Sequence, residues 1–208
     1  MHAGVFHRQW IAAQGPIDGP NGGTCAAFWQ SVWESETNLV LMLTRLYENS
    51  HAKCAKYWPD DSMSEFYGNL IVESMGEINH GAYVERTLRL THQRSKKKRD
   101  GKLIRIVFES RLFEILVTQL QYVKWPDHGI PDDPSDFLKF VSHFRTTLDD
   151  SFGSCLVHCS AGVGRTGVTI AVDTCIALIS QNIPVNPLES VLLKTAMYSN
   201  EFICNFVL

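Results

Sequence analysis

Short apolar runs alternate along the chain with longer segments in which apolar residues recur at helical spacing. Buried strands are expected at four of the short runs, Leu39 to Leu43, Tyr83 to Leu90, Gln119 to Val123 and Ser154 to His158. Helices are expected at Ser135 to Leu148 and at Arg165 to Leu178, with Ser135 or Asp136 as the cap of the first. Strands followed by helices that pack on their faces predict an α/β domain with a mixed, twisted β-sheet flanked by helices.

The size of the chain limits its organisation. Its 208 residues, of which 45% are hydrophobic, are enough for one domain with a sizeable core, so a single domain is expected over residues 1–208. No apolar run reaches the roughly 20 residues that span a bilayer, and the first residues lack the pattern of a secretory signal. The formal net charge of −3 gives no electrostatic reason to expect nucleic acid as a partner.

The cysteines change this picture only slightly. They are spread through apolar runs without the spacing of a metal site or of a disulfide framework. The six positions are Cys25, Cys54, Cys155, Cys159, Cys175 and Cys204. We therefore expect a reducing, cytoplasmic setting, with no metal and no other cofactor.

The densest candidate chemistry lies in the run from His158 to Gly167, between the last predicted strand and the last predicted helix. Its glycines, Gly162, Gly164 and Gly167, allow backbone N–H groups to converge at the positive end of the helix. Such a turn is an anion site of a size that suits phosphate. A tight connection around an inert core cysteine is the alternative, and the complete ten-residue string makes that alternative improbable.

The residues at this turn suit nucleophilic chemistry. A helix N-terminus and a neighbouring guanidinium can lower the pKa of a cysteine from about 8.5 to roughly 3.5–7.5, which makes Cys159 a candidate nucleophile. Arg165 offers a planar fork of donors that can hold two phosphate oxygens. The Thr166 hydroxyl is expected near the sulfur, and His158 is expected to tune the thiolate from the neighbouring position.

A second motif runs from Trp125 to Pro131 and is dense in turn residues. It predicts a loop held at both ends that carries Asp127. If a phosphoryl group moves from a phenol to Cys159, the departing phenolate is a poor leaving group, and a carboxylic acid must protonate it. The same group as a carboxylate can later activate water. Asp127 fits both roles, although a loop aspartate is by default a turn former or helix cap.

Together these motifs resemble the cysteine-dependent protein tyrosine phosphatases, receptor and non-receptor type. The resemblance implies that Cys159, Arg165 and Asp127 are catalytic and that the phosphate is bound by the loop Ser160, Ala161, Gly162, Val163, Gly164 and Arg165. Trp125 is then the hinge anchor of a mobile acid loop, and His128 and Pro131 shape that loop. Phosphotyrosine-containing proteins are the implied partners. Phosphoinositides are less expected, since lipid-directed relatives often carry lysines inside the phosphate loop.

Further runs extend the resemblance in family order. They are Trp10 to Pro16, Phe28 to Glu34, Leu41 to Arg45 and Lys53 to Pro59. By analogy Glu48 pairs with Arg165 and Lys53 meets the acid loop, although either could be an ordinary surface charge. The short chain and divergent tail resemble the phosphatase sets of polydnaviruses, the bracoviruses among them, carried by parasitic wasps. A viral member would work in the cytoplasm of a host cell.

Three departures from the family pattern bear on activity. An Asn-Arg-Tyr loop expected before Trp10 is not in the chain, which suggests an incomplete, N-terminally truncated domain. The segment around 100–116 is longer than the family spacing. It is expected to be a lineage-specific insertion or translated intron sequence in a hairpin loop, where added length costs little, and Leu103 to Phe108 could instead form an added edge strand. Tyr198 and Phe202 stand where the family has two glutamines, and neither offers an amide's paired donor and acceptor.

Three functional hypotheses remain open. The first is an active phosphatase that works through a cysteinyl phosphate. The second is a slow or inactive module that binds or traps phosphotyrosine, because the Asn-Arg-Tyr loop and the two glutamines are missing. The third is a gene product that cannot fold alone.

Overall fold

The structure is a computed structural model that describes residues 9–20, 23–93, 114–127, 129–131, 133–149 and 154–186. Its strands are β1 (Trp10–Ala13), β2 (Leu39–Met42), β3 (Tyr47–Glu48), β4 (His51–Ala52), β5 (Ser64–Tyr67), β6 (Leu70–Asn79), β7 (Tyr83–His92), β8 (Glu114–Tyr122) and β9 (Cys155–His158). Its helices are α1 (Cys25–Glu34), α2 (Pro134–Asp149) and α3 (Gly164–Ser180). No helix in the described ranges is long and apolar enough to cross a membrane.

One mixed sheet organises these elements. The described strands follow the order β1-β9-β2-β8-β7-β6-β5, and β3 pairs with β4 as a separate hairpin. The pairs β1–β9, β9–β2 and β2–β8 are parallel, whereas β8–β7, β7–β6 and β6–β5 are antiparallel. The expected α/β architecture with a mixed sheet is confirmed.

The centre of the sheet is buried on both faces, which explains why β2 is a continuous apolar run. Leu39 and Leu41 face a cluster that includes Phe140 of α2 and Ile170 of α3. Val40 and Met42 face the opposite cluster, which includes Trp29 of α1 and Tyr57. Two apolar layers therefore clamp the parallel strands, and the loops at the ends of β2 and β9 emerge from a rigid base.

All four expected strands and both expected helices are present. Their bounds shift by one or two residues, except for β8, which begins five residues before the expected Gln119. The cap of α2 is a correction, because the helix begins at Pro134 and the Asp133 carboxylate accepts a hydrogen bond from the Ser135 N–H at 2.8 Å. Asp133 is therefore the cap, rather than Ser135 or Asp136. Proline suits the first helical position, where its missing N–H would have no partner.

Three residues of the expected insertion lie in the described part of the chain. Ile115 pairs with Leu90 and Leu116 pairs with Arg89, so residues 114–116 belong to strand β8. Residues 94–113, including the possible edge strand over Leu103 to Phe108, lie outside the described residues. The antiparallel pairing of β7 with β8 nevertheless means that an insertion there connects neighbouring strand ends.

Candidate active site

The turn between β9 and α3 holds the Cys159 sulfur against backbone donors. Cys159 follows the last residue of β9 and is buried, with its Sγ accepting the Gly162 N–H at 3.2 Å. Gly162 has a φ of +77°, and a Cβ there would lie 2.4 Å from the Ala13 carbonyl oxygen. Only glycine therefore lets the loop close this tightly over β1.

The surroundings of the sulfur favour the thiolate. Burial raises the pKa of Cys159, but hydrogen bonding from the Thr166 hydroxyl and from the backbone N–H groups of Thr166, Gly162 and Val163 outweighs it, and the pKa lies below its ordinary value. Apart from this interaction with the sulfur, the buried Thr166 hydroxyl has no hydrogen-bond partner among the described residues. It is thus available to the sulfur when the sulfur is charged.

Arg165 is held from three directions. Its Nη1 and Nη2 donate to Glu48 Oε1 and Oε2 at 2.7 and 2.8 Å, a bidentate pair, and Nη1 also donates to the Leu43 carbonyl at 3.0 Å. Nη2 reaches the Pro126 carbonyl at 2.9 Å. Burial raises the pKa of Glu48, yet the Arg165 hydrogen bonds and the Arg45 N–H keep it below its usual value. Glu48 is therefore a carboxylate that orients the guanidinium.

The Asp127 loop lies against the same arginine. Asp127 Oδ1 is 2.7 Å from Lys53 Nζ and 3.9 Å from Arg165 Nη2, and Asn49 Nδ2 donates to Oδ2 at 3.2 Å. The hydrogen bond from Lys53 is the main reason that the pKa of Asp127 falls to about 2. Without a ligand, the Asp127 carboxyl is ionised at neutral pH.

The base of this loop is packed firmly. The Trp125 ring is buried and lies edge-on to Phe137 at 5.1 Å and to Tyr122 at 6.4 Å. Its indole N–H donates to the Gly129 carbonyl at 3.2 Å. The tryptophan thus ties both sides of the loop to α2 and β8.

The His158 ring supports the backbone of the phosphate loop, because both of its nitrogens have hydrogen-bond partners. Gln119 Nε2 donates to the Tyr57 hydroxyl at 2.7 Å, so the hydroxyl donates to His158 Nε2 at 2.8 Å. Nδ1–H then donates to the Cys159 carbonyl at 3.0 Å. Burial lowers the pKa of His158 to about 4, which agrees with this neutral tautomer. His158 thus contacts the nucleophile residue through its backbone carbonyl, and its influence on the thiolate stays a prediction.

The structure brings most of the expected site residues together. The pairs Glu48–Arg165 and Lys53–Asp127 are both present. Ala161, Val163 and Gly164 are exposed on the loop around the sulfur, and Ser160 is half-buried. His128 lies outside the described residues, as do Tyr198 and Phe202.

Two contributing side chains are not among the residues expected above. Asn49 reaches Asp127 from the turn of the β3–β4 hairpin, and its position directly after Glu48 is the only signal in the sequence. Tyr57 joins the sheet to His158, and it lies inside the Lys53 to Pro59 run, where it is indistinguishable from other core aromatic residues.

With this geometry established, comparison with known proteins identifies the family. Residues 1–195 match the family model described as protein-tyrosine phosphatase. The chain is 42% identical over 183 residues to the tyrosine-protein phosphatase non-receptor type 4 of human and of mouse, covering 88% of this chain and 18% of each relative. It is 35% identical over 189 residues to tyrosine-protein phosphatase 1 of Caenorhabditis elegans, covering 91% of this chain and 16% of that relative. The chain spans less than a fifth of the length of these relatives, and it belongs to the protein-tyrosine phosphatase family.

Proposed function

We propose that this chain hydrolyses phosphotyrosine in proteins in two steps through a cysteinyl phosphate at Cys159. The observation that carries the proposal is the placement of a buried sulfur with a lowered pKa beneath the Gly162 N–H, at the start of the helix that bears Arg165. This combination supplies a nucleophile and donors for the phosphoryl oxygens within one rigid turn.

In the first step the Cys159 thiolate attacks phosphorus. The S–P bond forms while the bond between phosphorus and the tyrosine oxygen breaks, and Asp127 gives its proton to the departing phenolate. Arg165 and the N–H groups of the loop stabilise the charge on the phosphoryl oxygens. Glu48 contributes by holding the guanidinium fork in one plane.

In the second step a water molecule attacks the cysteinyl phosphate. The Asp127 carboxylate takes the proton of that water, the S–P bond breaks, and inorganic phosphate and the thiolate are released. Thr166 supports the thiolate as the leaving group, since its hydroxyl is buried beside the sulfur without another partner among the described residues.

The protonation of Asp127 requires a change when substrate binds. The carboxyl is ionised in the ligand-free arrangement because Lys53 donates to it. A phosphate dianion bound at Arg165 adds negative charge near Asp127, and a like charge disfavours the carboxylate. Substrate binding is therefore proposed to raise the pKa of Asp127 and so to supply the proton that the phenolate needs.

The proposal also covers the domain organisation, the partners and the cellular location of the chain. The chain is proposed to be a single phosphatase domain with an insertion around residues 100–116. Its partners are phosphotyrosine-containing proteins, with no role for nucleic acid. A nucleophilic thiolate needs reducing conditions, which favours the cytoplasm.

A phosphotyrosine peptide tests the proposal. The wild type is expected to release inorganic phosphate from it and much less from the matched phosphoserine peptide, whose shorter side chain does not carry the phosphate as far into the loop. Cys159→Ser is expected to bind the phosphotyrosine peptide without releasing phosphate. Equal phosphate release by wild type and Cys159→Ser would refute the proposal.

A trapping module is the second candidate, and the observation that favours it is the replacement of two glutamines by Tyr198 and Phe202. Because these positions lie outside the described residues, slow breakdown of the cysteinyl phosphate stays a prediction. A protein of that kind would form one dephosphorylated peptide per chain and accumulate phosphorylated Cys159.

A further inference from the structure

Three side chains with metal-ligating atoms meet at the surface of the protein, two from the β6–β7 hairpin and one from helix α2. His80 lies in the turn between β6 and β7, Glu85 lies on β7, and His143 lies on α2. Glu85 Oε2 is 3.0 Å from His80 Nε2 and 3.4 Å from His143 Nε2. One ligand atom of each residue lies within 4.8 Å of the other two.

These separations suit a small cation. Four ligands at about 2.0–2.1 Å from a tetrahedral zinc ion lie roughly 3.3 Å from one another. The separations of Glu85 Oε2 from the two histidine nitrogens, 3.0 and 3.4 Å, are close to that edge length. The two nitrogens lie within 4.8 Å of each other, so a shift of the exposed His80 ring is enough to complete the site. Two imidazole nitrogens with one carboxylate oxygen favour zinc and similar transition metals over Mg²⁺ and Ca²⁺, which prefer oxygen ligands.

The histidine rings are also oriented by their neighbours. The Tyr83 hydroxyl lies 2.7 Å from His143 Nδ1, so an Nδ1–H that donates to it leaves the Nε2 lone pair facing Glu85. The His80 ring stacks on Tyr83 with centroids 4.6 Å apart and an angle of 19° between the planes. Partners that fix the tautomer and the ring plane of a ligating histidine are typical of metal sites.

The turn that carries His80 is likewise well defined. The His80 N–H donates to the Tyr83 carbonyl at 2.9 Å, and the Gly81 N–H donates to Asn79 Oδ1 at 2.8 Å. Gly81 has a φ of +82°, which glycine adopts without strain. The turn backbone is therefore hydrogen-bonded at His80 and Gly81 while the His80 ring faces His143 of α2.

An ion can reach this cluster from solvent. The side chains of His80, Glu85 and His143 are 30%, 23% and 28% exposed, respectively. His143 and Tyr83 also line an open cleft beside the cluster. Lys139 lines the same cleft, and its Nζ lies 3.4 Å from Asp136 Oδ1. The ammonium group is therefore partly neutralised, and it lies on an exposed side chain that can move away.

We propose that His80, Glu85 and His143 bind one zinc-type divalent ion per chain, with water in the remaining coordination position. The ion would tie the β6–β7 turn to α2, the helix that follows the Asp127 loop and packs against Trp125 through Phe137. The sequence suggested no metal, and the proposed site departs from that expectation. Its ligands escaped sequence reasoning because only the fold brings positions 80 and 85 beside position 143.

The test is titration of purified protein with Zn²⁺ by calorimetry, in a Cys159→Ser background that removes the reactive thiolate. One ion per chain is expected, and His80→Ala and His143→Ala each weaken binding by about ten-fold or more. His92→Ala is the matched control, because His92 ends β7 and its ring lies 5.5 Å from Trp33, away from the cluster. Its affinity for Zn²⁺ is expected to equal that of the parent.

Co²⁺ provides an independent readout of the ligands. Its absorption spectrum is expected to show nitrogen and oxygen coordination without thiolate charge transfer, and the signal disappears in His80→Ala. If His143→Ala does not fold, His80→Ala decides the question, since its side chain lies on an exposed turn. Equal Zn²⁺ affinity in the parent and His80→Ala, or a thiolate spectrum, would overturn the proposal.

Discussion

Arg165 and Glu48 are joined by two parallel hydrogen bonds of 2.7 and 2.8 Å, although 117 residues separate them in sequence. Their side chains are only 13% and 6% exposed, so each depends on the other for a counter-charge. The pair connects the β3–β4 hairpin to the start of α3, next to the phosphate loop.

Removal of the Glu48 carboxylate should therefore affect both stability and activity. Glu48→Ala is expected to lower the free energy of unfolding by roughly 3 kcal/mol, because it leaves a buried guanidinium without its partner. Glu48→Gln keeps the shape of the side chain and should cost less. Denaturant titration with and without added phosphate measures the free energy of unfolding of the wild type and of both variants. Phosphate should restore more stability to Glu48→Ala than to wild type, and an equal gain in both would contradict the pairing argument.

The role assigned to Asp127 predicts a dependence on the leaving group. Asp127→Asn is expected to lower kcat about 10²–10⁴-fold for phenyl phosphates whose phenolate needs a proton. The loss should shrink toward unity for aryl phosphates with strongly acidic phenols, which leave without protonation. Steady-state rates across a series of substituted aryl phosphates test this. A loss of the same size for every leaving group would remove Asp127 from the role of acid.

The ion pair between Lys53 and Asp127 predicts a specific pH effect on stability. The pKa of Asp127 is about 2 in the folded chain against an ordinary 3.8, so the unfolded chain binds the proton first on acidification. The stabilisation is complete above pH 3.8 and is lost as the pH falls through about 2. In Lys53→Met the free energy of unfolding should fall less over this acidic range than in the wild type. Lys53→Arg, which keeps the positive charge, should retain the wild-type decrease. Denaturant titrations at several pH values compare them, and identical pH dependence in Lys53→Met and wild type would contradict the assignment.

The tight closure of the loop predicts opposite effects at two glycines. Gly162→Ala is expected to lower the free energy of unfolding by about 2–4 kcal/mol, since the new Cβ would meet the Ala13 carbonyl oxygen at 2.4 Å and φ is positive. Gly167→Ala lies within α3 with open space around its Cβ and should be neutral or stabilise by up to about 1 kcal/mol. Thermal unfolding of both variants is the measurement. Equal stability of the two variants would contradict the tight contact.

Much of the fold could be predicted because its central elements have strong local signals. The apolar run at β2 and the helical spacing of α2 remain visible without tertiary information. Strand β6 has no such signal along its whole length, since burial alternates at Leu70, Val72 and Ser74 and then stops near a register shift before Gly76. An edge hairpin of this kind is specified by pairing rather than by its own pattern.

The site shows the same division between local and distant information. Cys159 and Arg165 share one ten-residue string, and their chemistry follows from their spacing. Contacts such as Asn49 with Asp127, or Tyr57 with His158, depend on loops that meet only after the sheet has formed. The cap at Asp133 was missed for a different reason, since Asp and Ser compete as caps around Pro134 and the backbone geometry decides between them.

The most direct measurement is a rapid-quench reaction of the wild type with a phosphotyrosine peptide, read by mass spectrometry of the protein and of its proteolytic peptides. The account predicts phosphate on the sulfur of Cys159 at early times, formed together with an equal amount of tyrosine peptide, and no such adduct in Cys159→Ser. Dephosphorylated peptide that forms without a phosphorylated Cys159, or that forms equally with Cys159→Ser, would contradict the account.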